Sequence, residues 1–78
     1  MVDNEHLKRV YDEFTTVWRF YKKYADVKDS DEYWEQVVSE SSAISKKYNE
    51  SKFIIDLVLA VITELERVYK EMKKDSGG

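Results

Sequence analysis

Lys52-Phe53-Ile54-Ile55-Asp56-Leu57-Val58-Leu59-Ala60-Val61-Ile62-Thr63-Glu64-Leu65-Glu66-Arg67-Val68-Tyr69-Lys70-Glu71-Met72 is the stretch on which the fold turns. Ile54, Leu57, Val58, Val61, Ile62, Leu65, Val68, Tyr69 and Met72 return at steps of three and four. That is one face of a helix, not the alternation of a strand. Nothing inside the stretch breaks a helix, because the chain has no proline and its two glycines are Gly77 and Gly78. Hairpin turns lean on those two residue types, so the rest of the chain is also expected to be helical, with short polar turns.

Working towards the N-terminus, Asn49-Glu50-Ser51 reads as a turn. Asn tolerates the left-handed conformation that ends a helix, and Ser51 can cap the next one. Before it, Trp34, Val37, Val38, Ser41, Ile44, Ser45 and Tyr48 form a second stripe. The small Ser41 and Ser45 within it predict close approach of a neighbouring helix. Asp26-Val27-Lys28-Asp29-Ser30 is a second turn, with Asp29 or Ser30 as the cap. Leu7, Val10, Tyr11, Phe14, Val17, Trp18, Tyr21 and Tyr24 form the first stripe, after an Asp3 cap.

The reading is one all-α domain over residues 1–75, with helices at about 4–25, 31–48 and 52–74 and a flexible tail at 76–78. Turns this short make consecutive helices antiparallel neighbours, so the expected fold is an antiparallel up-down-up three-helix bundle. One pole should hold Val17, Trp18, Tyr21, Trp34, Val68, Tyr69 and Met72. The other should hold Leu7, Val10, Ile44, Ile54, Leu57, Val58 and Val61, with Leu65 between them. Charge placement agrees. Asp3, Glu5, Asp31, Glu32, Glu35 and Glu50 lie at helix starts, and Lys22, Lys23, Lys46, Lys47, Lys70, Lys73 and Lys74 at helix ends. Both complement the helix dipole.

Composition narrows the function. The chain has no cysteine, which removes disulfides and thiolate metal sites. Met1-Val2-Asp3-Asn4-Glu5 lacks the basic flank and apolar run of a signal peptide. The longest apolar run, Phe53 to Ile62, is broken by Asp56 and falls short of a membrane span. The expected location is cytoplasmic, with no membrane partner. A net charge of −3 argues against direct nucleic-acid binding. Arg19, Lys22 and Lys23 beside Phe20 could grip a phosphate, but a basic helix end accounts for them.

Catalysis lacks its usual parts. The only histidine is His6, in the first turn, and no ligand spacing for a metal accompanies it. Asp31 and Glu35 could be drawn as an acid and a base, but capping explains acids in a first turn. The expectation is a non-enzyme with no catalytic, cofactor or metal residues.

Trp18-Arg19-Phe20-Tyr21-Lys22-Lys23-Tyr24, Asp31-Glu32-Tyr33-Trp34-Glu35, Ala43-Ile44-Ser45-Lys46-Lys47-Tyr48, Lys52-Phe53 and Asp56-Leu57 together resemble small helical proteins of gut Firmicutes genomes and their mobile elements. The resemblance spans roughly Phe14 to Arg67. That family has no assigned activity, so it implies an accessory protein that acts by binding and transfers no site residues.

The expected function is a small non-catalytic protein-binding module acting through a helix surface. The alternative is an anti-CRISPR-like inhibitor from a mobile element that blocks a host nucleic-acid-processing defence enzyme. The candidate partner-binding residues are Ile55, Leu59 and Ile62 on helix three. They fall at or beyond the border of its apolar arc, where a protein partner or a second copy could dock. Asp56 should lie on the exposed side.

Overall fold

The computed structural model describes residues 3–76, the last two by their backbone alone. It contains α1 (Asn4–Tyr24), α2 (Asp31–Lys47) and α3 (Lys52–Ser76), and no strand among the described residues. Each boundary lies within two residues of the sequence reading. Ser76, expected in the tail, still belongs to α3, because the first helix breaker in the sequence is Gly77. The rest of the expected tail, Gly77 and Gly78, lies outside the described residues.

Each helix starts on a side-chain cap. Asp3 Oδ1 accepts from the His6 N–H at 2.8 Å, Ser30 Oγ from the Tyr33 N–H at 3.2 Å, and Ser51 Oγ from the Ile54 N–H at 3.2 Å. Such caps contribute about 1 kcal/mol each. Between the two candidates for α2, Ser30 caps. Asp29 instead accepts from Lys73 Nζ at 2.9 Å and the Tyr69 hydroxyl at 3.0 Å. Those bonds hold its carboxyl below the ordinary carboxylate range, the Lys73 bond foremost. α2 ends in a pair of left-handed residues, Asn49 (φ 59°) and Glu50 (φ 53°). The Glu50 N–H reaches back to the Ser45 carbonyl at 2.7 Å and the Asn49 N–H to that of Lys46 at 3.1 Å, the bond pattern of a Schellman motif.

Side-chain contacts set the topology. Tyr24 meets Tyr33, Lys23 meets Glu40 and Thr16 meets Tyr48, so α2 runs back along α1. Trp34 packs edge-on to Tyr69 at 5.6 Å, and Lys73 pairs with Asp29, so α3 runs back along α2. Phe14 packs edge-on to Phe53 at 5.3 Å, bringing α3 alongside α1. All three helices touch one another, in the expected up-down-up order.

The core comprises Val17, Phe20, Tyr24, Val27, Tyr33, Val37, Ile44, Ile54, Val58 and Leu65. Leu65 and Ile54 are fully buried, as the α3 pattern predicts. Ser41 is buried on the inner face of α2, and its hydroxyl donates to the Val38 carbonyl. Tyr21, Trp34, Leu57, Val61, Val68 and Tyr69 pack against this core from its edges.

α1 departs from expectation. Its buried row is Glu13, Val17, Phe20 and Tyr24. Phe20, expected on the outer face, is 1% exposed. Leu7, Tyr11, Phe14 and Trp18, expected in the core, are 56%, 72%, 52% and 56% exposed. The two rows have the same four-three-four spacing and lie about 120° apart around the helix. Glu13 disguises the true inner row by breaking it with a charge. Its carboxylate is covered because Ser51 Oγ–H donates to Oε2 at 3.2 Å, with Arg9 Nε 4.0 Å from Oε1.

A second cause is register. α1 meets the other helices from Asp12 and Glu13 onward, through Tyr48 and Ser51. Its first two turns extend past the α2–α3 turn, so Leu7 has no aliphatic pole to join and Val10 is only half-buried. Val38 and Met72, also expected inside, are largely exposed at the borders of their helices.

Candidate functional site

The largest departure from a sealed bundle is the outer stripe of α1. Leu7, Tyr11, Phe14 and Trp18 are half of the large exposed hydrophobic side chains among the described residues, and Phe53 lies against Phe14 on the α3 side. The stripe runs about 17 Å along the helix. With each aromatic side chain offering about 150–250 Å² when free, it leaves on the order of 500 Å² of apolar surface in water. That matches the largest apolar patch of an ordinary monomer, a patch that commonly has a function.

The stripe is ordered by its own contacts. The Trp18 ring stacks on Tyr21 at 6.0 Å and 23°, and the Lys22 ammonium sits 5.8 Å from the centre of the indole. Phe14 is braced by Phe53. Beyond Phe14, the overhang of α1 and the α2–α3 turn enclose a groove of about 710 Å³, walled by Val10, Phe14, Tyr48 and Phe53, with Glu13 and Arg9 also facing it.

One edge of the stripe is cationic. Rotating about 100° per residue, Lys8, Arg19 and Lys22 come up on the side away from α3, with Thr15 among them. All four positions but Thr15 are exposed, and Thr15 donates to the Tyr11 carbonyl. The expected Arg19–Lys22–Lys23 cluster is thereby divided. Lys23 turns to α2, where its ammonium donates to Glu40 Oε1 at 2.7 Å, a bond that raises its pKa. Asp12, the next acid around the helix, accepts from the Tyr48 hydroxyl.

No protein family, curated protein or solved structure matches this chain. The site therefore rests on its geometry alone.

The residues singled out on α3 share one edge of that helix. Ile55 and Ile62 are partly buried and pack against the core, and Leu59 between them is 55% exposed. The α2-facing register of Tyr69 places this edge towards α2 rather than α1. It is a smaller apolar surface than the α1 stripe. Asp56 is exposed, as expected, and pairs with Lys52 at 3.4 Å. The sequence reading missed the α1 stripe because every member was assigned to the core. The available signal was a surplus: two parallel apolar rows on one helix, more than two neighbours can cover.

Chemistry-bearing groups do not converge. His6 is exposed, its Nδ1 accepting from Arg9 Nη2 at 3.1 Å. Asp31 and Glu35 are both exposed on the first turns of α2. Among the described residues, no three His, Asp or Glu side chains gather as metal ligands, and every buried side-chain nitrogen or oxygen has a partner. No helix among them is long and apolar enough to cross a membrane.

Proposed function

We propose that this chain is a small protein-binding module that docks through the outer face of α1. The observation that carries this reading is the exposure of Leu7, Tyr11, Phe14 and Trp18 in a single row. Aromatic anchors dominate binding energetics, because each brings a large apolar area with few rotatable bonds. A straight row at four-three-four spacing suits a helix or groove as the opposite surface. The bundle behind it supplies the rigid support, through Val17 and Phe20 on the inner side of the same helix.

The test is site-specific photocrosslinking in cells. A photoreactive phenylalanine analogue replaces Tyr11 in one variant, Leu59 in a second and the exposed Glu66 in a third. The expected result is a discrete crosslinked protein from position 11, abolished by Trp18→Lys in the same chain. Crosslinking from position 59 alone moves the docking face to α3. Equal yields from all three positions refute a defined face.

A further inference from the structure

We infer that the occupant of the α1 stripe is an amphipathic helix with an acidic flank, carried by another protein. The inference rests on the binding-module reading and adds the chemistry of the partner. Lys8, Arg19 and Lys22 line one edge of the stripe, and none of the three has a carboxylate partner among the described residues. All three are exposed and lie along the same side of the exposed apolar row. Of the other basic side chains, Arg9, Lys23, Lys28, Lys52, Arg67 and Lys73 have carboxylates within 4.0 Å. Lys46, Lys47, Lys70 and Lys74 lack one too among the described residues, but they lie in the last turns of α2 and α3, where the helix dipole favours a cation. What sets Lys8, Arg19 and Lys22 apart is their place beside an exposed apolar row, where an acidic flank on the occupant would meet them.

Apolar and charged features run parallel along one helix. A partner helix laid in the same direction as the stripe presents its own apolar row to Tyr11, Phe14 and Trp18, and its flanking acids to Lys8, Arg19 and Lys22. The total area closed by two such faces is on the order of 1,000 Å², at the lower end for a specific interface. Charge selection then decides which helices are admitted.

A second copy of this chain fits less well. The row is symmetric, so antiparallel pairing sets Leu7 of each copy against Trp18 of the other. The same pairing sets the cationic edges together, with Lys8 of each copy nearest Arg19 of the other, and like charges at an interface repel.

The experiment uses the full chain, isotope-labelled, and two synthetic helical peptides. Both carry leucines at four-three-four spacing; one is flanked by Glu and the other by Lys. Amide chemical shifts are followed on titration. The expected result is movement of the Leu7–Tyr21 resonances with the Glu-flanked peptide, bound about tenfold more tightly than the Lys-flanked one. The preference should fade with salt and reverse in the Lys8→Glu, Arg19→Glu, Lys22→Glu variant. Equal binding of both peptides on α1 overturns the charge inference and leaves the docking face standing. Failure of both peptides to move α1 resonances overturns the charge inference and the docking face together. Concentration-dependent α1 shifts without peptide assign the face to a second copy. Shifts with phosphatidylglycerol vesicles or oligothymidylate, in the absence of a peptide response, assign it to a membrane or a nucleic acid. Each of these last outcomes overturns the inference.

Discussion

Phe20→Ala and Trp18→Ala, made separately, divide the two possible faces of α1. Phe20 is 1% exposed and packs edge-on to Tyr24 at 5.5 Å. Truncating a buried phenylalanine costs about 3–5 kcal/mol, from lost transfer energy and the cavity left behind. A chain of this size has a total stability of roughly 4–12 kcal/mol, so Phe20→Ala removes a large share of it. Trp18 is 56% exposed and loses only its stack on Tyr21 and its contact with Lys22. Its truncation should cost less than about 1 kcal/mol. The assay is urea unfolding followed by far-ultraviolet circular dichroism. With a slope near 1 kcal/mol per molar for a small domain, the Phe20→Ala midpoint should fall by about 3 M or the variant should be unfolded from the start. Trp18→Ala should move by less than about 1 M. If Trp18→Ala proves the more damaging, the outer stripe is core after all, and the docking face disappears with it.

Glu50→Gly should stabilise the protein by about 0.5–1 kcal/mol, because Glu50 is held at φ 53°, where a side chain is penalised and glycine is not; the check is a higher melting temperature. Ser51→Ala should cost more than Ser30→Ala, measured by urea midpoint. Both remove a cap worth about 1 kcal/mol, but only Ser51→Ala also strips the hydrogen bond to the buried Glu13 carboxylate. Burial raises the phenol pKa of Tyr24, Tyr33 and Tyr48 above the ordinary value of 10.0. A raised pKa in the folded state means that these groups stabilise fully below 10.0 and that this contribution is lost as pH climbs through the folded values. Ultraviolet titration should therefore show the tyrosinate signal of these three rising together with alkaline unfolding, and full ionisation with the helical signal intact would refute their burial.

Much of this architecture can be read from sequence because helices announce their own limits. Asp3, Ser30 and Ser51 can each satisfy a free N–H at a helix start, and the structure uses all three. Leu65 is central because it lies in the middle of an unbroken arc, and it is fully buried. The rotation of α1 was not legible. Periodicity finds the rows but cannot rank them, and Glu13 made the inner row look broken. Tyr33 and Trp34 pose the same problem on a smaller scale, being adjacent aromatics of which only one can point fully inward. Tyr33 is the one, its hydroxyl donating to the Tyr24 carbonyl at 2.6 Å. Val27 sits in a polar turn and still seals the core, a tertiary contact with no local signature. On α3, the exposure of Leu59 was readable from its angle. The α1 stripe was not, since its spacing equals that of the inner row and the exposure of Leu7 depends also on where the other helices stop.

The overhang of α1 divides the stripe into halves of unequal firmness. Phe14 and Trp18 stand on a segment whose other side is pinned by Val17 and Phe20. Leu7 and Tyr11 stand on two turns held mainly by their own backbone bonds and the Asp3 cap. A helical segment that short is marginal without tertiary support, so it opens more readily than the turns behind it. For the docking proposed at the stripe, this implies an order in time. The firm half engages first, and the N-terminal turns tighten onto the ligand afterwards. Ordering them would cost affinity, and their tightening against the ligand would slow its release.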